Sequence, residues 1–410
     1  MAEFLPFHGL VPLPERASQV AAVPYDVVNT AEAAELAAGN SLSFLHVSRP
    51  EIDLPAGIDL RDDRVYAQAK TAFDRICREA PLTLDSGRHL YVYRLIMNGR
   101  AQTGIIGAAS ASDYRGGIIK KHENTRQDKE DDRTRHVMTL RSHTGPAFFT
   151  YRDVAEIDRE VAAQCEASPT FDFTAPDGIR HTVWRLDEAV SEKLSALFRD
   201  AVPVFYIADG HHRSAAAART AKECAPQNPN HTGKEDYNYF LAVAFPASQL
   251  AILPYNRVVK DLNGLSVSEF LQVLDKEFTV SPTDCGEVEK PGEFKVYLEK
   301  KWYLCRAKFN PAELGAVGRL DVSFLQARVL SPFLGIADPR TSERISFIGG
   351  IRGTAELVKL VDSGKYAVAF SMHAVTLDQL MAIADAGEIM PPKSTWFEPK
   401  LRDGLVCHNF

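Results

Sequence analysis

A short polar stretch, Asp-Gly-His-His-Arg at 209–213, separates two runs that favour regular structure. The run FYIA at 205–208 favours a β-strand, and the run SAAAARTA at 214–221 favours a helix. The first N–H groups of a helix have no partner inside it, and the helix dipole places partial positive charge there. A strand, a glycine turn and a helix start in this order predict an anion site, for which phosphate is the typical ligand.

Four of the five residues suit a phosphate site directly, and the aspartate suits it in a supporting role. Gly210 permits a positive φ or a close approach of the backbone to a ligand, and the planar fork of Arg213 can grip two phosphate oxygens. His211 and His212 add hydrogen-bond donors. Asp209 opposes an anion unless it orients a histidine, accepts a proton or holds a metal, which are useful tasks beside a transferable phosphate. The alternative interpretation is a loop whose polar groups only cap the helix.

A second polar cluster, seven consecutive residues from Lys120 to Arg126, precedes a highly charged segment. Lys121 and His122 immediately precede Glu123. This arrangement suits a phosphate clamp with a carboxylate placed as general base. We predict that this cluster lies beside Asp-Gly-His-His-Arg in space despite the long gap in sequence. For residues 127–135 the alternative is a solvated helix face with ion pairs at i,i+4 spacing.

A third cluster lies in the segment IMPPKSTWFEPKLRDGL at 389–405. Lys393, Ser394 and Thr395 can contact phosphate oxygens, and the aromatic pair Trp396 and Phe397 can stack on a base. The alternative is a proline-stiffened tail whose aromatic side chains pack into the core.

The histidine and cysteine patterns do not predict a metal site. Adjacent histidines point in different directions on regular structure, and the sequence has no H-E-x-x-H pair to support zinc. The six cysteines form no C-x-x-C motif, which indicates reduced thiols rather than zinc ligands or a disulfide framework.

Periodicity and turn signals predict a mixed fold. Asn98-Gly99 is a tight-turn pair that predicts a hairpin over 89–110, and Asp177-Gly178 predicts another over 171–186. Helices are predicted at 62–80, 126–143, 187–201, 266–278, 323–334, 354–364 and 377–387. Strands are predicted at 145–151, 238–245, 250–259 and 366–372.

Strands and helices follow one another without strict βαβ alternation, which favours an α+β fold with mixed sheets and packed helices. Pro282 and Pro291 give the only linker signal. We therefore predict two regions, residues 1–280 and residues 281–410.

Composition limits the function classes. A chain of 410 residues can build two or more cores. Its formal net charge of −7 gives no overall attraction to nucleic acid or to an anionic membrane. Neither a signal-peptide pattern nor a membrane-length apolar run is present. We expect a cytoplasmic protein with a small-molecule substrate and no nucleic-acid or membrane partner; the oligomeric state is left open.

Six stretches in a fixed order, from about Val11 to Leu405, give the chain a family resemblance. It resembles a bacterial family known as domain of unknown function 1015. The stretches are VPYDVV, GNSLSFLHVSRPEIDLP, KHENTRQDKEDDRTRH, ADGHHRSAAAA, ILPYNRVVKDL and MPPKSTWFEPKL.

The Asp-Gly-His-His-Arg stretch also resembles the phosphate-binding corner of the ParB/sulfiredoxin fold, and most closely that of its free-serine kinases. This resemblance implies that Asp209, His211, His212 and Arg213 form a phosphate site. It implies a ParB/sulfiredoxin-like core over residues 1–280, to which the region 281–410 returns the Lys-Ser-Thr tail.

The sequence departs from other members of that superfamily. Sulfiredoxins carry a cysteine immediately before His-Arg, where this chain has His211, so sulfiredoxin chemistry is not expected. The G-E-R-R box and the DNA-binding helix of ParB proteins are absent, so partition-type DNA binding is not expected. The serine kinases use a catalytic glutamate near the amino end; Glu123 and Glu51 are the candidates for it here, with Asp26 as an alternative carboxylate.

The function expected from these observations is nucleotide-dependent phosphoryl transfer to or from a small hydroxylated metabolite, with serine or phosphoserine as the first candidate. ATP or ADP and Mg²⁺ are the expected cofactors. The alternatives are a phosphomonoester phosphatase at the same anion site and a non-catalytic nucleotide-binding module. The expected catalytic residues are Glu123, Asp209 and His212. The expected phosphate- or nucleotide-binding residues are Gly210, His211, Arg213, Ser214, Lys121, His122, Lys393, Ser394 and Thr395.

Overall fold

A computed structural model describes residues 1–410 and has the predicted mixed α+β character. The chain divides into two units. The first comprises Met1–Leu250 together with Pro399–Phe410, and the second comprises Ala251–Glu398. No helix is both long and apolar enough to span a membrane.

The first unit is built around a nine-stranded sheet with parallel and antiparallel pairs. Eight of its strands form one path, and the ninth, Phe4–Leu5, pairs with Arg100–Ser110. In order across the sheet, the eight strands are Ile119–Lys120, Phe205–Asp209, Ala147–Tyr151, Tyr239–Pro246, Arg100–Ser110, Tyr91–Met97, Arg180–Arg185 and Phe171–Thr174.

A small four-stranded sheet and nine α-helices complete the first unit. The small sheet has the strand order Thr83–Leu84, Gly9–Val11, Cys407–Asn409 and Ser142–His143. The helices are Ala17–Val20, Thr30–Ala37, Leu45–Ser48, Asp63–Glu79, Ala111–Arg115, Gln127–Leu140, Ala155–Gln164, Glu188–Ala201 and His211–Cys224.

Both predicted hairpins of the first unit are present. Asn98 and Gly99 have φ values of 51° and 77° at the turn between Tyr91–Met97 and Arg100–Ser110. These positive φ values are those that the Asn-Gly pair tolerates. Gly178, with φ 81°, lies in the turn of the second hairpin.

The predicted strand, glycine and helix are also present. We call Phe205–Asp209 the site strand and His211–Cys224 the site helix. Gly210 joins them with φ 88° and ψ 32°, a left-handed conformation that a residue without Cβ adopts at no steric cost. Ala217 and Ala221 of the site helix belong to the apolar core that contains Phe205 and Ile207. Small side chains allow the helix to pack closely, which fixes the position of its amino end.

The second unit has a six-stranded sheet, a two-stranded sheet and five α-helices. The six-stranded sheet has the order Phe278–Thr283, Lys301–Ala307, Glu293–Leu298, Val368–Met372, Tyr255–Val259 and Ile345–Gly349. The two-stranded sheet pairs Ile252–Leu253 with Trp396–Phe397. The helices are Val267–Glu277, Gly315–Gly318, Asp321–Leu325, Gly353–Asp362 and Leu377–Asp385.

The boundary between the units differs from the prediction of 1–280 and 281–410. Pro282 lies within the strand Phe278–Thr283, and Pro291 lies shortly before Glu293–Leu298, yet both strands pair with Lys301–Ala307 in one sheet. The prolines therefore mark a connection inside the second unit. The second unit begins before Tyr255–Val259, because that strand belongs to the same sheet.

Two helices are shorter than their periodicity predicts. The helix predicted over 126–143 ends at Leu140, because Arg141 takes a left-handed φ of 56° and Ser142–His143 joins the small sheet. The helix predicted over 323–334 is an α-helix only at Asp321–Leu325 and continues as a π-helix at Gln326–Leu330.

Replacing Gly210 by alanine tests the backbone conformation at the start of the site helix. An added Cβ would lie 3.1 Å from Arg213 Nε and 3.3 Å from Ala147 Cα. Gly178→Ala is the matched control, because Gly178 also has a positive φ but has open space around its Cβ position. We expect Gly178→Ala to lower the free energy of unfolding by about 1 kcal/mol. Gly210→Ala should cost about 1 kcal/mol more because of its two close contacts.

The measurement is urea unfolding of both variants and the wild-type protein. Equal losses for the two variants would contradict the close packing of Gly210 against Arg213 and Ala147.

Candidate functional site

The amino end of the site helix carries no side-chain cap. Its N-cap residue is Gly210, which has no side chain, and no N-cap side-chain hydrogen bond is formed. The first-turn backbone bond closes from Ser214 N to the Gly210 carbonyl at 2.9 Å. The amides of His211, His212 and Arg213 precede that bond, so they are the donors that an anion can use.

Arg213 places a largely buried guanidinium beside this helix start, since its side chain is only 11% exposed. Its Nη1 donates to the Pro146 carbonyl at 2.5 Å, and its Nη2 lies 3.9 Å from carboxylate oxygens of both Asp26 and Asp209. Its Nε is buried and has no hydrogen-bond partner. Burial acts to lower the pKa of Arg213, but Asp26, Asp209 and Asp403 outweigh it and raise the pKa above its ordinary value.

Asp209 ends the site strand and forms an ion pair with Lys400. The Lys400 ammonium donates to Asp209 Oδ2 at 2.7 Å, and the Gly210 N–H donates to Asp209 Oδ1 at 2.7 Å. Burial acts to raise the pKa of Asp209, but Lys400 and Arg213 outweigh it and hold the pKa well below its usual range. Asp209 is therefore an anion at neutral pH, and it fixes the position of a lysine that the sequence analysis did not select.

The residues 120–126 lie beside the site helix, as predicted. The rings of His122 and His211 meet edge to face, with centroids 4.5 Å apart. The backbone N–H of Arg126 donates to His212 Nε2 at 3.1 Å. A neutral His212 that accepts this bond at Nε2 carries its proton on Nδ1. Strand pairing explains the proximity, because Ile119–Lys120 lies parallel to the site strand at the edge of the large sheet.

Both buried histidines at this contact are neutral at pH 7. Burial lowers the pKa of His122 to about 4. Burial, with His122 as the next cause, lowers the pKa of His211 well below its ordinary value. His211 Nε2 is buried without a hydrogen-bond partner. These imidazoles can therefore contribute hydrogen bonds, whereas the positive charge of the site comes from Arg213 and Lys400.

Lys121 and Glu123 lie in the loop between Ile119–Lys120 and Gln127–Leu140. Lys121 is exposed, and its ammonium lies 5.6 Å from the centroid of the Tyr114 ring. Glu123 is half-buried and follows directly after His122. Both residues are therefore close in the chain to the His122–His211 contact.

Ser214 has a different contact from the one its position suggests. Its side chain is fully buried, and its hydroxyl donates to the Gly210 carbonyl at 3.1 Å. The hydroxyl proton is used inside the helix, so the geometry gives no support to the predicted contact of Ser214 with phosphate.

Lys393, Ser394 and Thr395 belong to the second unit. The Ser394 hydroxyl donates to the Pro391 carbonyl at 2.6 Å, and the Lys393 carbonyl accepts from Arg257 Nη2 at 3.0 Å. Their predicted contact with a nucleotide stays a prediction.

Three carboxylates were left open as the catalytic acid or base, and their surroundings differ. Glu51 is 5% exposed; it accepts from the Thr30 hydroxyl at 3.1 Å and pairs with Arg49 at 3.1 Å. Asp26 is 36% exposed and faces Arg213. Among the two amino-terminal candidates, Asp26 is thus the carboxylate next to the helix start, whereas Glu51 is held in a buried ion pair.

The structure adds Lys400 and Asp403 to the residues selected from the sequence. Asp403 is 3% exposed, and burial raises the pKa of its carboxyl to about 7. Both residues stand in the stretch KLRDGL at 400–405, a few residues after the Lys-Ser-Thr cluster. The available signal was a lysine and an aspartate in that stretch, but only tertiary structure shows that they face Asp209 and Arg213.

The residues around the helix start do not form a ready metal cage. No group of three or more His, Cys, Asp or Glu side chains is arranged to hold an ion. Mg²⁺ in nucleotide sites takes one or two carboxylates and completes its coordination with phosphate oxygens and water. Asp26 is the exposed carboxylate that fits this requirement, whereas both oxygens of Asp209 already accept hydrogen bonds.

Comparison with known proteins identifies the family. The model of the family described as "Protein of unknown function (DUF1015)" matches residues 4–323. The chain belongs to that family. No curated protein matches the chain.

Several solved structures are similar at low identity. A free serine kinase mutant in complex with AMP is 14% identical with a TM-score of 0.38; the match covers 74% of this chain and 91% of that one. A conserved hypothetical protein from Pyrococcus furiosus is 15% identical with a TM-score of 0.36, covering 74% and 94%. A C-terminally truncated SbnI from Staphylococcus aureus is 11% identical with a TM-score of 0.37, covering 73% and 85%. These TM-scores are too low for the likeness to carry an inference.

The buried neutral state of His122 predicts a pH dependence of stability. The pKa of His122 is about 4 in the folded protein and about 6.5 when unfolded. Between these values the unfolded chain binds more protons, so stability is fully present above pH 6.5 and is lost as the pH falls. Through His122, the wild-type protein should lose about 2 kcal/mol of its free energy of unfolding between pH 7 and pH 5. The variant His122→Gln should not show this loss.

The measurement is the free energy of unfolding of wild-type and variant protein at both pH values. Because Asp403 and other buried groups also titrate, the quantity to compare is the difference between the two proteins. The same pH dependence in both would show that His122 is accessible to protons in the folded state.

Proposed function

We propose that this member of the DUF1015 family binds the phosphates of a nucleotide at the start of the site helix and transfers a phosphoryl group between that nucleotide and a small hydroxylated metabolite. The observation that carries the proposal is the pairing of an uncapped helix start with the buried, unpartnered Nε of Arg213 beside it. Helix amides and a guanidinium are a strong combination for phosphate oxygens.

The charges around the helix start support a phosphate rather than a neutral ligand. Lys400 and Arg213 are cations, and Asp209 holds both within ion-pair distance at 2.7 Å and 3.9 Å. The two cations do not rotate freely, so a bound phosphate meets donors that are already oriented. Preorganised charge of this kind lowers the cost of stabilising a transition state in which negative charge shifts between oxygens.

The proposed transfer needs an attacking hydroxyl and a group that takes its proton. The acceptor oxygen attacks the terminal phosphorus, and a new O–P bond forms. The bond from phosphorus to the bridging oxygen breaks, and its electron pair leaves with the shortened nucleotide. The hydroxyl proton passes to a carboxylate. In the reverse direction the same steps run backwards.

Asp26 and Glu123 are the carboxylates that we propose for this proton. Asp26 is exposed and faces Arg213, and Glu123 follows His122 at the contact with His211. Asp209 suits a supporting role, because its oxygens bind Lys400 and the Gly210 amide. His212 suits the donation of a hydrogen bond from Nδ1, because its Nε2 accepts from Arg126.

ATP or ADP is the proposed nucleotide, and Mg²⁺ would neutralise phosphate charge when bound through Asp26. Free serine is the first metabolite to test. The formal net charge of −7 gives no support to nucleic acid as the polyphosphate ligand.

Replacing Arg213 tests the anion site. Arg213→Ala should weaken ADP binding by about 1.5–3 kcal/mol, the range for hydrogen bonds to charged groups. Arg219→Ala is the matched control, because Arg219 lies on the same helix and pairs with Asp131 and Glu223. Calorimetric titration with ADP measures both variants. Equal affinities for Arg213→Ala and Arg219→Ala would contradict phosphate binding at the helix start.

Replacing the carboxylates one at a time tests the transfer. Asp26→Asn or Glu123→Gln should keep ADP affinity, measured without Mg²⁺, within a few fold and should lower turnover by about 10²–10⁴-fold, the range for a general base. The assay incubates each protein with ATP or ADP and hydroxylated metabolites, beginning with serine, and detects new phosphorylated products by mass spectrometry.

The wild-type assay also separates the alternatives. Nucleotide binding without any product would favour a non-catalytic nucleotide-binding module. Release of phosphate from phosphoserine without a nucleotide would favour a phosphatase that uses water as acceptor. Either result would overturn phosphoryl transfer to a metabolite.

A further inference from the structure

Two adjoining cavities lie beside Arg213 in the first unit. The smaller, of about 40 Å³, is lined by Arg213 and Asp403 among others. The larger, of about 290 Å³, extends past Arg49 and Glu51. Four residues line both cavities: Tyr25, Ser48, Arg133 and His136. We call the two together the paired cavity.

Buried polar atoms without a hydrogen-bond partner line the paired cavity. Two of them are Ser48 Oγ and Asp403 Oδ1, and each residue is 3% exposed. A buried hydroxyl or carboxyl oxygen without a partner costs free energy, so such atoms are normally satisfied by a ligand or by ordered water. The smaller cavity has room for one or two water molecules, but the larger has room for a metabolite.

Arg133 is the cation among the four shared residues. Its guanidinium lies 4.1 Å from the centroid of the Tyr25 ring and is 12% exposed. Its Nε and Nη2 both lie 2.8 Å from Asp132 Oδ2, and Asp132 also lines the larger cavity. Burial lowers the pKa of the neighbouring His136 to about 4, so that imidazole is neutral at pH 7. A guanidinium stacked on an aromatic ring suits a carboxylate ligand, which here would meet a cation already held in place by Asp132.

We propose that the paired cavity is the acceptor pocket and that its ligand is a small hydroxylated carboxylic acid. Its carboxylate lies at Arg133, with the Ser48 hydroxyl as a further donor, and its hydroxyl points toward Asp403 and Arg213. The residues of the shared wall do not require the ligand to carry an ammonium group. The proposal rests on the proposed function, because it supplies the acceptor for the phosphoryl group.

The segments that form the pocket belong to three of the stretches that carry the family resemblance. Tyr25 lies in VPYDVV, Ser48 in the segment that contains SFLHVSRP, and Arg133 in KEDDRTRH. Each stretch contributes a side chain to the wall shared by the two cavities.

The test compares three small probes on the full-length wild-type protein. L-Serine and D-glycerate both carry a hydroxyl and a carboxylate, whereas ethanolamine has a hydroxyl and an ammonium group but no carboxylate. Titration calorimetry, with and without ADP, should give measurable affinities for both acids. Ethanolamine should bind at least tenfold more weakly.

Ser48→Leu fills the shared wall of the two cavities and should weaken binding of both acids at least tenfold. Ser48→Ala keeps the space open and should lose only a few fold. Ser112→Leu is the matched control, because Ser112 is exposed at a helix start and lines neither cavity; it should bind the acids as the wild type does.

Three results would overturn the pocket: ethanolamine binding as tightly as the acids, Ser48→Leu binding like the wild type, or ADP binding without binding of either acid. The wild-type comparison decides the question even where Ser48→Leu does not fold. Binding of the acids without binding of ADP would support the pocket and contradict the nucleotide site, so the two proposals fail separately.

Discussion

Burial of the Arg213 guanidinium is the constraint on which the site depends. A charge removed from water must be matched by opposite charge and by hydrogen-bond acceptors, or the fold is destabilised by several kcal/mol. Arg213 obtains the Pro146 carbonyl from the start of one strand, Asp209 from the end of another and Asp26 from an amino-terminal loop. Three distant parts of the chain must therefore meet at the helix start.

The end of the chain is tied to the same constraint. Lys400 pairs with Asp209, and Asp403 adds a third carboxyl near Arg213. The backbone of Asp403 exchanges two hydrogen bonds with Ala22, at 2.9 Å and 3.2 Å, and Cys407–Asn409 pairs with Gly9–Val11 and Ser142–His143. The bridge to Ala22 lies just before Asp26, so one short terminal segment holds in place both a cation and the loop that carries a carboxylate.

The sequence predicted those parts of the fold and of the site that depend on local interactions. The turn at Asn98-Gly99, and the strand, glycine and helix around Gly210, follow from φ preferences and side-chain patterns within a few residues. Lys400 and Asp403 could not be assigned in this way, because their role depends on contacts with residues about 190 positions away. The boundary near Pro282 was misplaced for the same reason, since strand pairing across the sheet, rather than proline content, decides which segments share a unit.

In the proposed phosphate site, the neutral histidines reduce the attraction that comes from net charge alone. If both histidines were charged, the site would hold four cations and would attract any polyanion. Its affinity would then decline steeply with salt. Here burial keeps His122 and His211 uncharged, and the fixed cations Lys400 and Arg213 lie beside the carboxylates Asp209 and Asp26. Attraction by net charge is therefore weak, and a ligand must satisfy directed donors: the helix amides, the Arg213 fork and the imidazole N–H groups. Directed donors favour a tetrahedral phosphate whose oxygens reach them over an anion that is attracted only by charge. They also remain effective when salt screens long-range electrostatic fields.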